Sequence, residues 1–297
     1  MAAEHYSDSP VEMDDSKLAP ALYVVATPLG NLADITLRAL ATLKSVDLIA
    51  AEDTRTSATL LRHYGICTAT IAAHQHNEQT AAARIVALVG EGKSAALISD
   101  AGTPGVSDPG ARMVQAVRDA GFAVVPVPGP NAAVAALSAS GFDGPFHFTG
   151  FLPPKSAARR KALAALKDVA AVLVCYEAPH RILDLAEDLA QEFEAARRVV
   201  VARELTKRFE TIHACSVGEL AAWLAADSNQ QRGEFVVLVE GARKLVAQEA
   251  GLDAETKRVL EILLAELPVK SAAALAARIT GASKNTLYAA ALALKKT

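Results

Sequence analysis

Short, continuous apolar runs alternate with helically spaced segments from Leu22 onward. The runs "LYVVAT" (22–27), "VDLIAAED" (46–53), "TIAAH" (70–74), "SAALISD" (94–100) and "FAVVPVPG" (122–129) predict five strands. Between them, "ADITLRALATLKS" repeats its apolar positions at Ile35, Leu37, Leu40 and Leu43. "SATLLRHYG" closes on Gly65, "EQTAAARIVALVGEG" on Gly90 and Gly92, and "PGARMVQAVRDAG" on Gly121; "NAAVAALSASG" follows the fifth strand. Strict alternation, with strands apolar at consecutive positions, predicts a parallel sheet covered on both faces. Asp108 before Pro109 reads as a helix start, with a capping carboxylate and then proline at the first helical position.

The rhythm changes near Phe146. "FHFTGFLP", "VAAVLVCYEAP" and "GEFVVLVEG" predict strands, and "KSAARRKALAALK", "HRILDLAEDLAQEF" and "GELAAWLAA" predict helices. "RRVVVARELT" and "FETIHACSV" follow one another with no helix between, so they predict an antiparallel pair in a mixed sheet. After Gly241 the pattern is helical only. Three short helices are expected, the last two joined by the glycine-containing turn "TGAS". This segment is either a helical cap or a nucleic-acid-binding helix-turn-helix. Lys270, Arg278, Lys284, Lys295 and Lys296 tilt the reading toward the second. The expected organisation is a disordered tail over 1–20, an α/β domain over 21–134, a second over 135–242 and a helical module over 243–297.

Composition narrows the classes. Of 297 residues, 52% are hydrophobic, which supports a large core. A net charge of −3 gives no global positive field, so a nucleic-acid partner would need local basic patches. Three scattered cysteines, Cys67, Cys175 and Cys215, match no metal-binding or disulfide spacing and read as reduced structural thiols. The acidic N-terminus has no apolar stretch of the signal-peptide kind, and no run approaches the ~18 apolar residues of a membrane span. A cytoplasmic protein is expected.

In an open parallel sheet, ligands bind beyond the carboxyl ends of the strands. All the unusual loops fall there: "TPLGNLADIT" (27–36), "EDTRTS" (52–57), "HQHNEQ" (74–79), "SDAGTPGVSDPG" (99–110) and "PVPGPNAA" (126–133). The first loop has one glycine, so neither the dinucleotide GxGxxG nor the phosphate-loop pattern is present. Pro104, Pro126, Pro128 and Pro130 remove N–H donors and leave carbonyl acceptors, which suits an amine or a cation better than a phosphate. Glu52, Asp53 and Arg55 read either as an ion pair with capping duty or as a ligand contact. Asp100 ends a buried strand, where a carboxylate needs a partner or a role. His74 and His76 lack a third ligand, so no metal site is expected. Lys155, Arg159, Arg160 and Lys161 form either a solvated helix face or a phosphate-contacting patch. Tyr176, Glu177, His180 and Arg181 lie at another strand end, and Arg203, Glu204, Lys207 and Arg208 follow the next strand.

Taken in order, "VVATPLGNLADIT", "AAEDTR", "LISDAGTPGVSDPG", "VPVPGPNAAVAALSASG", "FHFTGFLP" and "YEAPHRI" closely resemble the ribosomal RNA small-subunit methyltransferase I family of the tetrapyrrole methylase superfamily. The resemblance implies two α/β domains with S-adenosylmethionine between them, a homodimer, and 2'-O-methylation of a cytidine in the decoding centre of small-subunit ribosomal RNA, free or in the assembled subunit. It implies cofactor contacts from Pro28, Gly30, Asp100, Ala101, Gly102, Thr103, Pro104, Gly105, Val106, Asp108, Pro130, Asn131 and Ala132. The general base is left among Asp100, Glu52, Asp53, Glu177 and His180. RNA contacts are expected from Lys155, Arg159, Arg160 and Arg181, and base stacking from Phe151, Tyr176 or Phe209. Tetrapyrrole-modifying members carry a GxGxGD-type first loop, which "TPLGNLAD" is not. The rival readings are a tetrapyrrole methylase and a non-catalytic RNA-binding or ribosome-assembly factor.

Overall fold

The computed structural model describes residues 18–74, 77–242, 252 and 254–294. Five runs become parallel strands: β1 (Leu22–Val25), β2 (Leu48–Ala51), β3 (Thr70–Ala72), β4 (Ala95–Ile98) and β5 (Val124–Val127), in the order β3-β2-β4-β1-β5. Every residue of β2 and β4 is buried. Successive side chains go to opposite faces. Tyr23, Ile49, Ala96 and Ile98 pack under α1 (Leu37–Ser45) and α2 (Thr54–His63), whereas Leu22, Leu48, Ala95 and Leu97 pack under α3 (Glu78–Gly90) and α4 (Ala111–Asp119). One expected core position fails. Leu37 is 71% exposed, because Thr36 caps α1 and puts Leu37 at the first helical position, turned to solvent.

The start of α4 also differs from expectation. Asp108 does not cap it. Gly110 holds the cap position at φ 132, and its N–H and that of Arg112 donate to the buried Glu78 carboxylate at 3.0 and 3.1 Å. A carboxylate from α3 thus does the capping, and Asp108 is left to face elsewhere.

Helix α5 (Ala132–Ser140), capped by Asn131, leaves the first sheet and packs Ala133 and Ala136 on Val174, Val200, Val236 and Leu238 of a second sheet. The division expected at residue 134 therefore falls inside a helix. The second sheet is mixed: β6 (Phe146–Phe151), β7 (Val172–Glu177), β8 (Arg198–Arg203), β9 (Thr211–Ser216) and β10 (Phe235–Val239) run in the order β6-β7-β10-β8-β9, with β6–β7 parallel and the rest antiparallel. Its other face is covered by α6 (Ser156–Leu166), α7 (Ile182–Glu192) and α8 (Val217–Ala226). Both sheets belong to one compact unit that ends at Gly241.

The second unit is helical. α9 (Ala254–Glu266), α10 (Val269–Thr280) and α11 (Lys284–Leu294) enclose Leu260, Ala273, Ala276, Leu287 and Ala291. Gly281 ends α10 in the left-handed region. Lys270, Arg278 and Lys284 are exposed; Lys295 and Lys296 lie outside the described residues. Most of the tail expected over 1–20 lies outside them too. Within them, Leu18 packs on the first core, and the Tyr23 hydroxyl donates to the Ala19 carbonyl. Among the described residues no helix is long and apolar enough to cross a membrane. Cys67, Cys175 and Cys215 are free thiols.

Arg159, expected to contact RNA, is instead 1% exposed. Its Nε donates to Asp188 at 2.6 Å, and the Ser156 hydroxyl donates to the same carboxylate. A buried cation that loses its partner is strongly destabilising, so Asp188→Ala should lower unfolding free energy by about 3–5 kcal/mol. Denaturant titration of the full chain measures this; a change below about 1 kcal/mol would mean solvent reaches Arg159.

Candidate functional site

The sheet order places a switch between β4 and β1, whose following loops leave in opposite directions, the geometry that opens a crevice at strand carboxyl ends. The two loops are stitched together: Thr27 N–H donates to the Gly102 carbonyl at 2.8 Å, and Gly102 N–H returns the bond to Thr27 at 3.0 Å. Above this stitch lies a cavity of about 390 Å³, within the range of small-molecule sites. The first half of the unit supplies Leu29, Glu52, Asp100–Thr103, Val106–Asp108, Asn131 and Ala132. The second half closes it with Phe151, Tyr176–Pro179, Ala202, Leu205 and Glu234–Val236. Tyr176 links the two, its hydroxyl accepting from Ala133 N–H at the start of α5.

The strand-end rule finds the first set and most of the second. Glu234, Phe235 and Val236 escape it because they begin a strand. β10 is antiparallel to β7 and β8, with Phe235 paired to Glu177 and Arg203, so its start lies level with their ends. The antiparallel pairing expected for β8 and β9 was the available signal.

Five carboxylates line this cleft: Glu52, Asp100, Asp108, Glu177 and Glu234. Burial pushes the Asp108 carboxyl up to about 6, reinforced by the negative charges of Glu52, Asp100 and Glu234. Burial likewise raises Glu52, although Asp100 N–H donates to it at 3.3 Å. It raises Asp100, whose Oδ1 accepts from Asp53 N–H at 3.1 Å. Gathered negative charge beside apolar walls favours a cationic ligand.

Not every expected residue is here. Asp53 caps α2, and its bonds to Arg55 hold it down at about 2; it is an ion-paired cap outside the cavity. Glu177 reaches the wall, but its fully buried carboxylate is committed to Arg181 at 3.0 Å and to Ala178 N–H at 2.8 Å. Arg181 in turn donates to the Leu152 carbonyl at 2.8 Å, so it is a structural tie and does not face solvent as a free RNA contact. His180 is exposed and does not line the cavity. Lys155 is exposed, and Arg160 is half-buried against Gln191. Pro104, Gly105 and Pro130 shape the loops without lining the cleft: Gly105 N–H donates to the Pro109 carbonyl, and Pro130 accepts from the Thr103 hydroxyl. Pro28 and Gly30 line a neighbouring chamber. Gly30 is required for a different reason: a Cβ there would lie 2.5 Å from Lys207 Cγ. Lys207 crosses from the second half and pairs with Glu204 at 3.0 Å and Glu234 at 2.8 Å. His76 lies outside the described residues, and among those residues no cluster of His, Cys, Asp and Glu is arranged to hold a metal.

A carboxyl that ionises near 6 when folded but near 3.8 when unfolded costs stability as pH rises between those values, since the folded state keeps its proton longer. Asp108→Asn should therefore match wild type below pH ~4 and exceed it at pH 7 by about 1–2 kcal/mol, a margin reduced by partial solvent access. Denaturation midpoints across pH 4–8 check this; a margin independent of pH would contradict it.

Comparison with known proteins adds to this geometry. The profile of the tetrapyrrole (corrin/porphyrin) methylases matches residues 21–221, and that of the RsmI C-terminal HTH domain matches 250–295. The ribosomal RNA small subunit methyltransferase I of Escherichia coli O157:H7 is 53% identical over 91% of this chain and 94% of its own length. The protein of that name from Pseudomonas aeruginosa is 52% identical over 92% and 97%. The crystal structure of uroporphyrin-III C-methyltransferase from Thermus thermophilus complexed with S-adenyl homocysteine shares the fold, with TM-score 0.53 and 16% identity over 73% of this chain and 96% of that one. The chain belongs to the tetrapyrrole (corrin/porphyrin) methylase family and, within it, to the ribosomal RNA small subunit methyltransferase I proteins.

Proposed function

We propose that the chain methylates the 2'-hydroxyl of a cytidine in the decoding centre of small-subunit ribosomal RNA. The broader activity follows from family membership: the protein is an S-adenosylmethionine-dependent methyltransferase of small-subunit ribosomal RNA. The observation that supports cofactor placement is the cleft itself. Its acidic side, formed by Glu52, Asp100, Asp108 and Glu234, suits a sulfonium, and Leu29, Ala132, Leu205 and Val236 offer an apolar slot for a purine. Bound there, S-adenosylmethionine supplies an activated methyl group. The residues of this chain orient it: the stitched loops from β1 and β4 fix one wall and the strand ends of the second sheet fix the other. Most of the rate is expected from such alignment, with a general base adding ~10²–10⁴-fold.

The finer reading includes a homodimer working in the cytoplasm on small-subunit ribosomal RNA, free or in the assembled subunit. Exposed Lys155, Lys270, Arg278 and Lys284 are the basic groups offered to RNA, and Phe151 and Phe209, 56% and 64% exposed, are offered for base stacking. A tetrapyrrole acceptor is disfavoured by the first loop, "TPLGNLAD", which lacks the GxGxGD pattern.

Calorimetric titration tests the cofactor site. S-adenosylmethionine should bind one-to-one, roughly tenfold more tightly at pH 7 than at pH 5, because ionised Asp108 attracts the sulfonium. S-adenosylhomocysteine, whose sulfur is uncharged, should vary less, and Asp108→Asn should flatten the difference. Equal pH dependence for both ligands would remove Asp108 from the sulfonium's surroundings. Methyl transfer to small ribosomal subunits, mapped by nucleotide, tests the acceptor. A modified base in place of a ribose would overturn the 2'-O assignment.

A further inference from the structure

A second chamber, of about 330 Å³, adjoins the cofactor cleft between the loop after β1, the start of α2 and the loop after β4. It meets the cleft at Leu29, Asp100 and Ala101, which line both. Its walls carry hydroxyls and one carboxylate, that of Asp100. Most of those hydroxyls are committed: Thr27 donates to the Ser99 carbonyl at 3.1 Å, Ser99 to the Ala101 carbonyl at 3.3 Å, and Thr56 to Asp100. Ser57 differs. It is 4% exposed, lines the chamber, and its hydroxyl has no hydrogen-bond partner among the described residues. Buried hydroxyls are normally satisfied, so an orphan in a cavity wall points to a partner that arrives with a ligand.

We infer that this chamber receives the acceptor nucleoside, hydrogen-bonded by Ser57, with its ribose hydroxyl at the neck beside Asp100, which takes the proton. The inference rests on the reading that the acceptor is a ribose of ribosomal RNA. Among the five carboxylate and imidazole candidates, Asp100 lines both spaces. Glu52 lines the cleft alone, Glu177 lines the cleft while bound to Arg181, and Asp53 and His180 line neither. In the transfer, the hydroxyl oxygen forms the O–CH₃ bond as the C–S bond breaks. The C–S electron pair stays on sulfur, now an uncharged thioether. The hydroxyl proton passes to the Asp100 carboxylate and from there to water.

The test uses the full chain, S-adenosylmethionine calorimetry, and methyl transfer to small ribosomal subunits from a strain lacking the activity. Ser57→Ala should keep cofactor affinity, leave kcat little changed and raise the KM for subunits roughly five- to tenfold, the loss of one hydrogen bond. Ser57→Thr should restore it. Thr59→Phe, from an exposed position on the chamber's rim, should block transfer while still binding cofactor, which also shows that the variant folds. Asp100→Asn should lower kcat by ~10²-fold or more and erase the acid limb of its pH profile. Transfer by Thr59→Phe and Ser57→Ala with wild-type KM would overturn the chamber assignment, and wild-type kcat in Asp100→Asn would overturn the proton-acceptor role. A wild-type protein that binds cofactor but methylates no subunit would overturn the RNA reading and this inference with it. Activity of the wild type therefore tells the two failures apart.

Discussion

Two reciprocal backbone hydrogen bonds, between Thr27 and Gly102, hold together the loops that leave β1 and β4. Much of the site hangs from them. A parallel sheet with its switch between these strands opens at that point, and without a tie the two loops would be independent surface turns. Gly102, at φ 81, allows the chain to turn back and make the pair. The tie sets Asp100 and Ala101 between the two cavities and carries Thr103 onto the Pro130 carbonyl, so the loops after β1, β4 and β5 behave as one rigid wall. The second sheet then needs only to bring its own strand ends opposite.

The cleft works against its own stability. Carboxylates crowded into a partly dry space repel one another, a cost that a bound cation would relieve. The capping of α4 shows how the fold allows this. Glu78 takes over the helix N-terminus, a duty Asp108 could have performed from its own sequence position, and Asp108 is released to the cavity. In the second half the opposite solution appears: Glu177 with Arg181, and Asp188 with Arg159, are neutralised pairs that hold β7, α6 and α7 in place.

The sequence made both sheets legible. Consecutive apolar positions gave the parallel one, and the adjacent runs before and after Leu205 gave the antiparallel pair in the mixed one. It also pointed to the loop face, since turn-forming residues are costly to concentrate without a use. What it hid was partnership. Arg159 read as a free cation because its acceptor, Asp188, lies on another helix; Arg181 read as one although Glu177 is only four residues away, because the Leu152 carbonyl that completes its burial is 29 residues distant. Asp108 read as a cap because its competitor, Glu78, is brought near by folding. Leu37 read as core because period alone does not say where a helix begins. Glu234 was missed because a strand-end rule for parallel sheets does not cover a strand that runs the other way.

Gly30 bears on the spacing of the two halves. The stem of Lys207 lies where a side chain would otherwise be, and the same lysine is anchored on Glu204 and on Glu234 of the cavity wall. The absence of a side chain at position 30 is what leaves room for that lysine stem. Any bulkier residue at this position displaces the lysine stem and with it the ion pairs to Glu204 and Glu234. Position 30 therefore bears on both cavities: it lines the second chamber directly and reaches the acidic wall of the first through Lys207.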